Sequence, residues 1–478
     1  MLSKLNLKFQ LNKTYPLIAL LIGTLLISLP MGPYQTLDTQ LEYNTTRGIL
    51  RWGYPYLDRF GPPNIDSYGD LFNMPPLGFY TQALHQTLFG TQLETGIALI
   101  TLLGLGCIIL VYLIGKKFHG PTTGLIAAAF FALTPWQLIM TRAYLIDTQC
   151  LLLSLAYLYT GIIAIQKNSL KLTTFTGLLF AAALLTKQFA VFMLIPLAIL
   201  YIHHHLKQHS QSPPKNKKLI FSQLTLFAFP VAITHFIWYN LIMHKELLYL
   251  FNHNDFRDYN FSTYTPTYAF VTDFLTSYGL GMFFCITLII SLFATLIFWR
   301  YLPKQTVLFD TICLITLGFI LGLVLYLAVN LNLKAPYTSA IKYLYHALPL
   351  FSIAAASLVV KASLLFRRST QNSKFRRGLF LVVVMSVGVL LAASLLANMV
   401  VAQQLSTTSY LIFRVQPHLD VGYSFYVLNP PSLGDPILLM QFVGFLVILS
   451  GFVWYSRHFI TKQLQEIKFW FKSKQYGC

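Results

Sequence analysis

The chain has 478 residues, of which 56% are hydrophobic and only 10% charged, and its mean hydropathy is +0.61. A soluble domain carries about 25% charged residues, so water alone is excluded as the solvent and lipid is required. The formal net charge of +19 comes from 34 Lys and Arg. These sit in short clusters between apolar runs rather than on one basic stripe, which excludes nucleic acid as a partner.

The first apolar run, near 15–32, follows Lys4, Lys8 and Lys13 as a signal peptide would. Pro30, Met31, Gly32 and Pro33 stand where a small-residue cleavage site would be, so the run reads as a retained first helix. Further apolar runs lie near 92–115, 122–140, 148–165, 172–202, 219–243, 274–299, 306–330, 343–365, 379–400 and 436–455. Each span needs roughly 20 apolar residues. The segments between them alternate in character. The N-terminal tail, 116–117, 167–171, 207–218, 300–304, 367–377 and the tail from Arg457 are basic, and the positive-inside rule makes them cytoplasmic. The opposite segments hold Asp38, Glu42, Asp58, Asp66, Asp70, Asp147, Asp255, Asp258, Asp420 and Asp435.

One run breaks the alternation. A single helix over 172–202 would send the basic 207–218 segment outside. It would also hold Lys187 near the bilayer centre, at a cost of about 3 kcal/mol or more. Two short helices, 172–186 and 188–202, turning at Lys187 on the outer side, remove both conflicts, with local bilayer thinning to suit their length. The expected fold is an all-α polytopic membrane protein of roughly 12 transmembrane helices with both termini inside. It is one domain over 1–478. The long first outer loop, 33–91, contains short helices, and further outer loops lie at 244–273, 331–342 and 401–435.

The outer loops hold the candidate chemistry. The first carries five acids and the run from Phe72 to Tyr80 with Pro75 and Pro76 inside it. It fits either recognition of a polar ligand such as a sugar or a lid over the bundle. Asp38, just past the first helix, is either a general base with its pKa raised by apolar neighbours or a solvated or capping acid. Asp147 opens the helix near Thr148. It reads as an N-cap paired with Arg142, or as a residue that holds an acceptor or orients a base. Lys187 either binds a lipid phosphate or snorkels to headgroups. Arg257, Lys342 and His346 are further outer cations. Cys107, Cys150, Cys285 and Cys313 lie in or beside apolar runs and Cys478 is terminal, so no disulfide framework or zinc spacing arises. His203, His204, His205 and His209 read as a solvated basic stretch, because no Cys, Asp or Glu joins them. No metal site is expected, although a divalent cation remains compatible with the pattern. The absence of a Gly-rich phosphate loop means no nucleotide site is needed.

Four stretches resemble the bacterial form of the dolichyl-phosphate-mannose protein mannosyltransferase family, which includes the aminoarabinose lipid A transferases of the C-type glycosyltransferase superfamily. They are Asp38 to Leu50, Met74-Pro75-Pro76-Leu77 with Leu88-Phe89-Gly90, Arg142 to Asp147, and Gly177 to Lys187. Lys342 to His346 with Pro349 is a weaker fifth. The likeness covers about the first 200 residues and departs at two places: Thr39 stands where the family has Glu, and Met74 where it has Lys.

The resemblance implies a glycosyltransferase that moves a sugar from a polyprenyl-phosphate carrier to an acceptor hydroxyl on the outer face. Asp38 matches the catalytic base, Asp147 the second outer-face Asp, and Lys187 a contact near the carrier phosphate. Arg142, Arg257, Lys342 and His346 are candidate substrate or phosphate contacts. A single displacement needs one base and inverts the sugar, unlike the paired carboxylates of glycosidases. The expected partners are the bilayer, the polyprenyl-phosphate sugar donor and a lipid, glycan or protein acceptor. The expected location is the bacterial inner membrane. The alternative is a transporter or flippase of lipid-linked sugars, which would put its polar residues near the midplane of two similar halves. A third reading is an assembly subunit without chemistry.

Overall fold

Apolar runs in lipid must satisfy every backbone N–H and C=O internally, and a helix does so within one segment. The computed structural model describes residues 2–31, 37–53, 55, 75–211, 217–242, 344–369 and 439–455. Among these residues there is no strand, and the protein is an all-α, polytopic membrane protein. The described helices are α1 (Leu2–Ser28), α2 (Leu37–Trp52), α3 (Leu77–Phe89), α4 (Leu93–His119), α5 (Pro121–Ala132), α6 (Pro135–Met140) and α7 (Asp147–Lys167). They continue with α8 (Leu170–Thr186), α9 (Leu194–Gln211), α10 (Lys217–His235), α11 (Leu348–Ser369) and α12 (Leu439–Tyr455).

Four described helices are long and apolar enough to cross a membrane: Leu93–Phe118, Asp147–Lys167, Gln188–His205 and Leu219–Trp238. Five shorter apolar helices accompany them. α10 leaves Phe221, Leu224 and Phe229 more than half exposed, which suits a face turned to lipid. The runs at 274–299, 306–330 and 379–400, and with them the full helix count, lie outside the described residues, as do the loops at 244–273, 331–342 and 401–435.

The expected break at Lys187 is present. α8 ends at Thr186, Lys187 is extended (φ −161°, ψ 142°), and a 3-10 turn, Gln188–Met193, leads into α9. The run at 122–140 differs from its expectation. It is two helices, because Leu133 and Thr134 leave helical geometry before Pro135, whose ring fits the first turn of α6. The first long loop contains the helices α2 and α3, as expected.

By packing, the chain divides into two units, 1–31 with 430–478, and 32–429. In the first, α1 and α12 meet through small residues. A Cβ on Gly444 would stand 2.7 Å from the Gly23 carbonyl oxygen, and one on Gly451 would stand 2.7 Å from Ala19 Cβ. In the second, α4, α5, α7, α8, α10 and α11 pack side by side. Gly124 brings α5 within contact of the α4 backbone, and Gly177 does the same for α8 on α10. Lipid offers apolar helices no hydrophobic reason to associate, so close backbone approach supplies the contact instead.

Candidate functional site

The site forms where three segments distant in sequence end at one place. The turn between α6 and α7 is held by Arg142 N–H donating to the Ile139 carbonyl (2.9 Å) and Leu145 N–H donating to the Ala143 carbonyl (2.8 Å). It delivers Asp147 as the first residue of α7, with no local side-chain cap at Ile146. The break after α8 delivers Lys187. α2 delivers Glu42.

These three side chains meet. Lys187 Nζ donates to Asp147 Oδ2 at 2.5 Å and lies 3.8 Å from Glu42 Oε1. Glu42 Oε2 accepts the Ile146 N–H at 2.7 Å. Asp147 is 0% exposed, Glu42 4% and Lys187 12%. The cluster brings two carboxylates and one ammonium together with little exposure to water. Removing charge from water costs several kcal/mol per ion, so this arrangement stands only because each charge meets its opposite at close range.

Lys187 is therefore a nearly buried counter-ion to two carboxylates. Asp147 opens α7 while its carboxylate reaches Lys187, forty positions on. Glu42 was absent from the sequence-derived site. Its signal was present in the sequence: it follows Asp38 by four residues, one helical turn.

The remaining candidates fall as follows. Asp38 is the second residue of α2, one turn before Glu42. Arg142 is half-buried in the turn leading to Asp147, and burial lowers its pKa from the ordinary arginine value. His346 is fully buried in the 3-10 turn Leu344–Ala347, with its ring 6.5 Å from that of Phe189. Phe189 is two residues past Lys187, so His346 comes to the same end of the bundle. Its neighbour Tyr345 donates to Gln137 Oε1 at 2.5 Å. Arg257 and Lys342 lie outside the described residues. Among the described residues no group of three or more His, Cys, Asp or Glu is gathered to hold a metal ion. The positive charge between Glu42 and Asp147 is supplied by Lys187 itself.

α3 walls this junction. A Cβ on Gly78 would stand 2.6 Å from Ile146 and 3.3 Å from Thr186. Gln86 Nε2 donates to the Tyr144 hydroxyl (3.1 Å), and Gln149 Nε2 to Thr81 Oγ1 (3.0 Å). Burial raises the Tyr144 pKa above the ordinary tyrosine value, so its hydroxyl stays protonated and able to accept and donate. Tyr43 packs edge-on against Tyr144 at 5.3 Å and donates to the Thr91 carbonyl at 2.8 Å. Ile49, Phe79, Ala83 and Ile146 form the apolar cluster beneath.

Residues 73–238 match the family described as dolichyl-phosphate-mannose-protein mannosyltransferase. That segment contains Arg142, Asp147 and Lys187. No curated protein matches the chain. Among solved structures, ArnT from Cupriavidus metallidurans bound to undecaprenyl phosphate is similar at 11% identity. Its TM-score is 0.51, over 92% of this chain and 77% of that one. The same protein in the apo state gives 13% identity and a TM-score of 0.47 over the same shares. The Archaeoglobus fulgidus oligosaccharyltransferase in the apo form gives 15% identity and a TM-score of 0.45, over 83% of this chain and 56% of that one. The ArnT likeness at 0.51 shows a shared fold. The match over residues 73–238 and the fold shared with ArnT are both likenesses to the group that the sequence resembles.

Proposed function

We propose that this protein is a membrane glycosyltransferase that moves a sugar from a polyprenyl-phosphate carrier to an acceptor hydroxyl on the outer face of a bacterial inner membrane, with inversion. The observation that carries this reading is the buried Glu42–Lys187–Asp147 cluster at the end of α8, one helical turn from Asp38. A charged cluster that lipid and protein both penalise is retained where chemistry needs it.

The steps are these. The donor enters from the outer leaflet with its phosphate toward Lys187. Charge builds on that phosphate as the bond to the anomeric carbon breaks, and a preorganised cation stabilises it without solvent having to rearrange. Arg142, Arg257, Lys342 and His346 are the further contacts for the phosphate and the sugar. Asp38 takes the proton from the acceptor hydroxyl, whose oxygen attacks the anomeric carbon from the face opposite the phosphate. The oxygen–carbon bond forms, the carbon–oxygen bond to phosphate breaks, and polyprenyl phosphate leaves. Asp147 holds Lys187 in place. No nucleotide is needed, because the carrier phosphate is itself the leaving group.

The test uses purified full-length protein in lipid, radiolabelled polyprenyl-phosphate sugars as donors and membrane extract as acceptor. Wild type is expected to release free polyprenyl phosphate, and Asp38→Asn to release it at least about a hundredfold more slowly. A fully active Asp38→Asn protein would remove Asp38 as the base. Carrier binding without release, unchanged by the substitution, would sink the transferase and leave the flippase.

A further inference from the structure

Helix N-termini leave backbone N–H groups that need acceptors. At the start of α7 no local side chain provides one. The acceptor for Ile146 N–H comes instead from Glu42, 104 residues earlier in the chain, at 2.7 Å. A carboxylate suits that position twice over. The bond is charge-assisted, and the helix dipole favours negative charge at its N-terminus. The second oxygen of the same carboxylate faces Lys187 at 3.8 Å. Glu42 therefore touches the start of α7 and the break after α8 at once, from a side chain only 4% exposed.

α2 has neutral holds as well. Tyr43 reaches Thr91 and Tyr144, and Ile49 packs with Phe79, Ala83 and Ile146. These bury area and order the helix. They do not fix its register against a charge. Glu42 does, because it shares Lys187 with Asp147, and α2 is the helix that carries Asp38 one turn earlier.

We infer that Glu42 is a positioning residue for the transfer reaction: it pins α2, and with it Asp38, to the N-terminus of α7 while dividing the Lys187 ammonium with Asp147. This rests on the transferase reading above. A small misplacement of a base relative to its substrate costs up to about a hundredfold in rate, which sets the scale of the effect. The loss belongs in kcat, because the donor's binding contacts remain.

Three full-length variants in lipid test it. Glu42→Gln keeps an oxygen for the Ile146 N–H and drops the charge. Glu42→Leu drops both. Tyr43→Phe loosens α2 without touching the charges. The readouts are kcat and KM for a radiolabelled polyprenyl-phosphate sugar, and amide hydrogen exchange at Ile146 and across 37–52. Glu42→Gln is expected to lower kcat about tenfold or more with KM little changed. Glu42→Leu should lower it further and speed exchange at Ile146, and Tyr43→Phe should stay within about twofold of wild type. Three results overturn the inference: wild-type kcat in Glu42→Gln, a fall in Tyr43→Phe as deep as that in Glu42→Gln, or unchanged exchange at Ile146 in Glu42→Leu. Transfer by wild type with an unaffected Glu42→Gln defeats this role alone. A wild type that binds donor and never transfers defeats the transferase reading, and this role with it.

Discussion

The α1–α12 pair and the Glu42–Lys187–Asp147 junction both join segments far apart in sequence, and they do it with opposite chemistry. Between α1 and α12 the contact is backbone against backbone. Gly23 and Gly444 let the helices approach, with neutral polar contacts beside them, such as Gln441 Nε2 donating to the Ile27 carbonyl at 3.4 Å. At the junction the contact is charge against charge, with Glu42, Asp147 and Lys187 all nearly out of solvent. Lipid explains the first arrangement: apolar helices gain little by leaving hydrocarbon except close packing. Stability does not explain the second, since a buried ion pair contributes little net and costs heavily when one member is removed. The glycine seam should therefore be sensitive to volume and indifferent to charge, and the Glu42–Lys187–Asp147 cluster sensitive to charge.

The largest break comes from Lys187→Met, which keeps much of the volume and strips the counter-ion from two buried carboxylates. We expect a loss of about 3–5 kcal/mol in stability together with loss of transfer. Thermal unfolding in detergent and the donor assay read the two effects. Adding Asp147→Asn to Lys187→Met should recover part of the stability and none of the activity, because it removes one unpaired charge without restoring a cation. Unfolding of the double variant at or below the temperature of Lys187→Met would contradict the charge account.

The seam breaks the other way. Gly444→Leu forces a side chain toward a backbone oxygen that a Cβ already meets at 2.7 Å. Overpacking of this kind costs about 1–3 kcal/mol. The molecules that remain folded should keep wild-type kcat, which separates this variant from Lys187→Met. Gly444→Ala should unfold between wild type and Gly444→Leu, because it adds the Cβ and nothing beyond it. A Gly444→Leu protein as stable as wild type would refute the close approach.

The sequence was legible where a single strong penalty ruled. The break at Lys187 followed from the cost of a cation in hydrocarbon, and α8 and the 3-10 turn meet there as expected. The meeting of Asp147 with Lys187 at one end came from the same reading of charge and length. The break at Pro135 was missed because hydropathy does not distinguish a continuous helix from two helices joined by a turn. Pro135 itself was the signal, since proline disfavours a helical residue before it. Glu42 was missed for a different reason. Its partners are 104 and 145 positions away, and no local spacing announces a cap delivered across the fold. The i, i+4 relation to Asp38 marked it as a neighbour on the helix, but that relation did not say what it would touch.

The smallest expected effect concerns α3, which is not among the apolar helices that could cross a membrane and which walls the junction. His85 lies on it, its ring 4.8 Å from Phe89 and its Nδ1 buried with no hydrogen bond. Burial holds its pKa below the ordinary 6.5, because the imidazolium loses hydration there. The folded state thus binds that proton less readily than the unfolded chain does, and stability must fall as pH drops from 6.5 toward the lower folded-state pKa. Above 6.5 both states are neutral at this residue and it contributes no pH dependence. His85→Gln removes the titration, so its unfolding temperature should fall slightly less than that of wild type between pH 7.5 and 5.5. An equal fall in the two proteins would assign the acid sensitivity to other groups. The position of His85 also sharpens the comparison between junction and seam. Its charge appears only on protonation and on α3, so acid should loosen α3 while leaving the α1–α12 seam as it is. Amide exchange measured at pH 7.5 and 5.5 would separate the two, with faster exchange expected across 77–89 and unchanged exchange across 439–455.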